Sequence, residues 1–190
     1  MAGALFTIYL PLKLNDMTFA DKILIFYSQL SPGNQLPEGI EVLNPYSQPE
    51  TMTACKAFYT KFYNDHKNRR IIFGINPGRF GAGVTGIPFT DPVHLEKACG
   101  IPNSLDKKTE LSSQFIYMLI ENMGGVTPFY QHYFIGAVSP LGFVKDGKNF
   151  NYYDDRLLER SLKSFIVKSM IQQVTLGVCT NKCFCFGNGK

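Results

Sequence analysis

The sequence predicts an α/β fold: a three-layer α/β/α arrangement with a mainly parallel central sheet. Two observations carry that expectation. Short apolar runs bounded by Gly, Pro or Asn recur along the chain, as RRIIFGIN (69–76), HYFIGAVSP (132–140) and KCFCFGNG (182–189). Between and around them, apolar residues repeat with the spacing of a helix face. Such runs alternating with helices build a sheet covered on both faces. The chain has 190 residues, a length that suits one domain, and no internal repeat or linker divides it.

Taken in order, MAGALFTIYLPLKLND (1–16) holds an apolar run with no charged start and no small-residue cleavage site. It is a poor signal peptide. We read residues 1–16 as an N-terminal extension, 17–190 as a single domain, and the compartment as cytoplasmic. MTFADKILIFYSQL then opens the first helix, with a stripe of Phe19, Ile23, Phe26, Tyr27 and Leu30. Cys55, Phe58, Tyr59 and Phe62 mark a second helix, which ends in Lys67, Arg69 and Arg70, residues that suit the negative end of its dipole. Phe115, Met118 and Leu119 mark a third, with Thr109 as its expected cap. Leu157, Leu158, Leu162, Phe165, Ile166 and Met170 mark the longest. Ligands of parallel sheets bind beyond the carboxyl ends of the strands, which directs attention to the loops after Ile75, Val138 and Phe186.

Composition narrows the function. A hydrophobic fraction of 45% excludes a disordered tail, and no run reaches the roughly 18 apolar residues of a membrane span. The net charge of +4 permits a nucleic-acid partner without requiring one. Five cysteines cannot all pair, which fits free thiols in a reducing compartment. Three of them crowd into CTNKCFC (179–185), without the paired C-x₂-C halves of a metal site. Alternating small residues on a buried strand is the expected reading; an iron–sulfur cluster would need Cys55 or Cys99 as a fourth ligand. No metal, no cofactor and a monomeric state are expected.

The informative stretch is Gly74-Ile75-Asn76-Pro77-Gly78-Arg79-Phe80-Gly81-Ala82-Gly83-Val84-Thr85-Gly86-Ile87-Pro88-Phe89. Gly81 to Gly86 matches the dinucleotide fingerprint G-x-G-x-x-G, but that fingerprint needs a tight strand-to-helix turn. Here Asn76-Pro77-Gly78 intervenes, and Pro88 would disrupt the first turns of the helix. A phosphate-binding loop of the Walker type lacks its Lys-Ser/Thr. Glycines that let backbone amides approach a planar ligand, prolines that fix the loop, Asn76 to orient a water and Phe89 to stack are the parts of a nucleobase pocket. An ordinary rigid surface loop is the competing reading.

The same stretch, G-I-N-P-G-R-F-G-x-G-x-T-G-I-P-F, resembles the first catalytic motif of the SMUG-type group in the uracil-DNA glycosylase superfamily, in its bacterial second branch. Asn44-Pro45-Tyr46 resembles the Asn-Pro segment this group carries upstream, and FIGAVSPLGFVKDGKN (134–149) resembles its second strand and the basic loop after it. The resemblance implies the uracil-DNA glycosylase fold and an enzyme that flips uracil or another deaminated base out of DNA and hydrolyses its glycosidic bond in base excision repair. It implies Asn76 as the residue that orients the attacking water. Ile75 and Gly78 would meet the base through their backbone, Phe89 would stack on it, and Ser139 and Asn149 would make polar contacts near the base or its phosphates. Lys145 and Lys148 would touch the DNA backbone, with solvated loop charges as the competing reading.

Two departures from the group's pattern bear on activity. Ala137 stands where the better-known branch has an Asn that reads the edge of uracil, so other deaminated bases such as xanthine or hypoxanthine become candidate substrates. The group's later His-Pro motif has no counterpart here, since His66, His94 and His132 lie elsewhere. The expectation is a C-terminally incomplete domain that lacks its last helix and strand. The alternative function is an impaired fragment that binds damaged DNA without excising the base.

Overall fold

The computed structural model describes residues 16–33 and 36–187. The expected N-terminal extension, Asp16 apart, lies outside the described residues. The architecture is mixed α/β, with helices around a central parallel sheet, as the sequence predicts.

Helix α1 (Phe19–Ser28) starts on a reciprocal cap. Thr18 Oγ1 accepts from the Asp21 amide at 3.2 Å, and the Asp21 carboxylate accepts from the Thr18 amide at 2.9 Å. Strand β1 (Ile40–Leu43) leads through a short 3-10 turn (Pro45–Ser47) into α2 (Pro49–Tyr63). Strand β2 (Arg69–Gly74) follows, then the glycine-rich loop with the one-turn helix α3 (Ala82–Thr85), then α4 (Pro92–Lys97), α5 (Leu111–Asn122) and α6 (Val126–His132). The rest of the fold is β3 (Tyr133–Ala137), the β4 (Gly142–Lys145) and β5 (Lys148–Phe150) hairpin, α7 (Arg156–Thr175) and β6 (Val178–Cys185).

The central sheet has the order β3-β2-β6, all parallel. Its two connections run in opposite directions, from β2 out to β3 and then back across β2 to β6. Two right-handed crossovers therefore place their helices on opposite faces. The main core joins Ile71, Ile72 and Phe73 of β2 to Phe134 and Ile135 of β3 and to an aromatic layer of Tyr27, Phe58, Tyr59, Tyr63 and Tyr130. Arg69 is fully buried at the start of β2, paired with Asp65 at 2.8 Å and stacked over the Tyr63 ring at 4.6 Å. That pairing holds the Asp65 carboxyl below its ordinary value.

A second sheet, β1-β4-β5, is antiparallel and was not foreseen from the sequence. Its strands are of four, four and three residues, too short to show a period. It is carried on α7, whose Leu158, Leu162 and Ile166 pack with Phe143 in a separate small core.

Four expectations need correction. Lys67, Arg69 and Arg70 lie beyond the end of α2 at Tyr63, and Arg69 serves the sheet instead of a helix dipole. Glu110, not Thr109, holds the cap position of α5, and its side chain makes no cap hydrogen bond. Strand β6 runs over 178–185 and bulges where its pairing jumps from Arg70↔Cys179 to Ile71↔Cys183. It pairs only with β2 among the described residues, so Cys183 and Cys185 are exposed rather than buried.

Candidate active site

The loop after β2 is held on both sides by continuation of the sheet's hydrogen bonding. The Val138 amide donates to Gly74 O and the Ser139 amide to Ile75 O, each at 2.9 Å, while the Phe186 amide donates to Phe73 O at 2.8 Å. The carboxyl ends of β2 and β3 thus open on one cleft, the place where a parallel sheet binds its ligands. Its empty volume is about 450 Å³, open solvent at its mouth included.

Ile75, Asn76, Gly78 and Phe89 all line this cleft, with Ala137 from the end of β3 and Pro140 from the loop after it. The Asn76 Nδ2 group donates to Pro77 O at 3.3 Å. Its Oδ1 is buried and has no hydrogen-bond partner among the described residues. A buried carbonyl oxygen left unpaired costs about 1–3 kcal/mol, a cost that persists where a ligand completes the site.

Phe89 is fixed from several directions. Its backbone lies in the left-handed region at φ 53°, rare for a bulky residue and the mark of a position the fold over-determines. Its ring meets Phe186 edge to face at 5.9 Å. A Cβ on Gly74 would lie 2.7 Å from Phe89 Cε2, so glycine at the strand end makes room for this ring.

The segment that matched a dinucleotide fingerprint forms only the single turn of α3, closed by Gly86 at φ 69° before Pro88. No long helix N-terminus faces a pyrophosphate here. The back of the cleft is aromatic: Tyr27 and Tyr46 line it, stacked 4.3 Å apart, and the Tyr46 hydroxyl donates to Gly86 O at 3.0 Å. Burial pushes the Tyr46 phenol well above its ordinary pKa and the Tyr27 phenol up to about 12, so both stay neutral.

Glu110 and Ser112 also line the cleft, from the start of α5. Glu110 Oε1 accepts from the Phe80 amide at 3.0 Å, and a Cβ on Gly78 would lie 2.7 Å from that same oxygen. The Glu110 amide in turn donates to Asp91 Oδ2 at 3.2 Å. Asp91 is fully buried and also accepts from the His94 amide at 2.8 Å and pairs with its ring at 2.9 Å. Burial raises the Asp91 carboxyl, but these hydrogen bonds and the nearby imidazole outweigh it and hold the group below its ordinary value.

The remaining expected site residues sit outside the lining. Ser139 is fully buried, and its hydroxyl donates to Leu141 O at 2.8 Å within the turn that presents Pro140. Asn149 reaches the loop instead: its Oδ1 accepts from the Arg79 amide at 3.0 Å, while the Arg79 side chain donates to Gly147 O. Lys145 and Lys148 lie on the same β4–β5 hairpin, with the Lys145 ammonium 5.4 Å from the Phe150 ring. His66, His94 and His132 do not line the cleft. Tyr27, Tyr46, Glu110 and Ser112 were missed as site residues. Tyr46 adjoins the noted Asn44-Pro45 pair, whereas Glu110 gives no sign in the sequence, because its partner lies 30 residues away.

Among the described residues, no group of three or more His, Cys, Asp or Glu side chains is placed to hold a metal ion. Cys55 and Cys99 are core residues whose thiols burial pushes up to about 12 and about 11. No described helix is long and apolar enough to cross a membrane.

No protein-family model matches the chain. Among solved structures, the wild-type SMUG2 of Pedobacter heparinus is similar at 46% sequence identity and a TM-score of 0.87. The match covers 92% of this chain and 77% of that one.

Proposed function

The chain belongs to the SMUG-type group of the uracil-DNA glycosylase superfamily, and on that premise we propose that it excises uracil or another deaminated base from DNA by hydrolysis. One observation carries the reading: the buried, unpartnered Oδ1 of Asn76 in a cleft that also presents Phe89. The amide oxygen accepts a hydrogen bond from a water and sets its direction. An amide does not take a proton from that water at neutral pH. The glycosidic bond therefore breaks first: the base leaves with the bonding electrons, and the positioned water captures the cationic sugar and then loses its proton to solvent. Phe89 and the aromatic back wall give the extruded base an apolar, flat seat, which offsets part of the stacking lost on flipping.

Ala137 shapes the choice of base. It lines the cleft with a methyl group, and its backbone is held by Gln173, which donates from Nε2 to Ala137 O at 2.9 Å and accepts from Ala137 N at 3.0 Å. With the side chain silent and the backbone committed, this wall supports no strict reading of the uracil edge. The proposed partner is DNA carrying a deaminated base, with Lys145, Lys148 and Arg79 near its phosphates.

The test incubates the protein with oligonucleotides carrying uracil, xanthine or hypoxanthine and scores alkali-labile sites. Excision of at least one of these bases is expected. Lesion-selective binding with no cleavage of any of them would assign the chain a binding role instead.

A further inference from the structure

Strand β3 lies at one edge of the central sheet, with β2 on its inner side and no strand on its outer side among the described residues. Its last residue, Ala137, nevertheless has both its amide and its carbonyl paired. Gln173, fully buried on α7, accepts from the Ala137 amide through Oε1 at 3.0 Å and donates from Nε2 to Ala137 O at 2.9 Å. Nε2 also donates to Ser169 O at 3.1 Å, which ties the same side chain to its own helix. A primary amide has the donor and the acceptor of a peptide, so one side chain does here what the facing residue of an antiparallel strand would do. Gly136 makes the space, since a side chain there would collide with Gln173 Oε1.

The strand end held in this way is a wall of the cleft. Gly136 and Ala137 both line it, while Gln173 itself does not. Ala137 pairs across the sheet with Gly74, and the Phe89 ring is seated against Gly74. The methyl wall and the stacking ring thus share one rung of the sheet. Without Gln173 two backbone groups lose their partners, and the strand end must shift to find others. Such a shift moves the wall against which a flipped base would pack.

We propose that Gln173 is a positioning residue of the base pocket: it acts through the Ala137 backbone to hold the Gly136–Ala137 wall where an extruded base packs against it. This rests on the glycosylase reading and extends it to a residue that does not touch the base. The effect of Gln173 falls on base binding and leaves the water directed by Asn76 in place.

The experiment follows single-turnover excision of uracil against protein concentration for the parent, Gln173→Leu and Gln173→Glu. Gln173→Leu is expected to raise the half-saturating concentration about tenfold and to leave the saturated rate within about twofold of the parent. Gln173→Glu separates the hydrogen bonds from the packing. Its neutral acid accepts from the Ala137 amide and donates to Ala137 O, whereas its carboxylate has no proton to donate. Ala137 and Ser169, the partners of Gln173, carry no ionisable side chain, and burial favours the neutral acid. Relative to the parent at each pH, the Gln173→Glu defect should shrink as the pH is lowered from about 8 to about 6, while that of Gln173→Leu stays constant.

The same variants in an Asn76→Ala background are titrated with uracil-containing and undamaged duplexes, and their selectivity for the lesion should fall in the same order. An unchanged half-saturation, a loss confined to the saturated rate, or a Gln173→Glu defect that pH does not alter would overturn the positioning role. If Gln173→Leu fails to fold, the pH comparison in Gln173→Glu decides alone. If the parent excises no base, the glycosylase reading fails, while lesion selectivity in the Asn76→Ala background still decides the role of Gln173. Absence of any lesion selectivity in the Asn76→Ala parent would overturn both.

Discussion

Glu110 Oε1 accepts a hydrogen bond from the Phe80 backbone amide at 3.0 Å, so a carboxylate from the start of α5 braces the glycine-rich loop from outside it. The glycines of the loop are matched to this brace. A side chain at Gly78 would begin 2.7 Å from the same oxygen, and one at Gly81 would collide with the carboxylate as well.

Removing the brace should therefore loosen the loop that carries Asn76. Glu110→Ala leaves the Phe80 amide without its partner, at about 1 kcal/mol of stability, and is expected to slow excision about tenfold. Glu110→Gln keeps an acceptor oxygen and should recover most of the rate. Gly81→Ala should reproduce the loss while Glu110 is intact, since it displaces the carboxylate. Single-turnover excision, with Tm as the check on folding, distinguishes these outcomes. Equal rates in all of them would separate the brace from catalysis.

The seat of Phe89 depends on a glycine in the sheet. Gly74→Ala places a methyl group against the Phe89 ring and the backbone cannot retreat, because Gly74 is paired with Ala137 in the parallel ladder. The expected cost is about 1–3 kcal/mol in stability, with weaker binding of lesion DNA as the ring leaves its position. Denaturant unfolding and a fluorescence-anisotropy titration measure the two effects.

The Asp91 carboxylate links α4 to the start of α5, and its pKa is lowered in the folded state. A lowered folded value means stability that is fully present above the unfolded value of about 3.9 and is lost as pH falls through the folded value. Tm should therefore fall more steeply below about pH 4 in the parent than in Asp91→Asn. The variant should be less stable at neutral pH, since its amide cannot serve all the donors that the carboxylate serves. Parallel Tm curves from pH 7 to pH 3 would contradict this role.

On the proposed function, Ala137, which lines the cleft, governs which bases the pocket accepts. Ala137→Asn would add a donor and an acceptor to the wall that now offers a methyl group, and the resemblance to the better-known branch implies that such a group reads uracil. The ratio of uracil to xanthine excision should rise by about tenfold or more. Competition between the two lesions in one reaction measures it directly, and an unchanged ratio would show that the wall does not choose the base.

The parts of the fold that could be read from the sequence were those that repeat. The stripes of α1 and α7 and the apolar runs of β2 and β3 show their period within a single element. The antiparallel β1-β4-β5 sheet could not be read this way, because each strand is too short to alternate and its burial comes from Leu158 and Leu162 on a distant helix. The exposure of β6 depends on how many strands flank it, a property of the sheet that Cys183 and Cys185 do not carry. In the candidate cleft, Asn76 and Phe89 can be picked out because one Gly/Pro-rich loop holds both, whereas Ile75 and Gly78 come from the resemblance. Asn149 and Ser139 were named from the resemblance, and their side chains fasten the loop and its neighbouring turn. Glu110 became visible only once the chain was folded.

The most direct test is the rate of base release from a uracil-containing oligonucleotide by the parent protein and by Asn76→Ala. The parent should generate alkali-labile sites, and the variant should slow their formation on the order of a hundredfold while binding the oligonucleotide with unchanged affinity. Equal rates of release in the two proteins would show that Asn76 does not direct the water, and would remove the basis of the proposed mechanism.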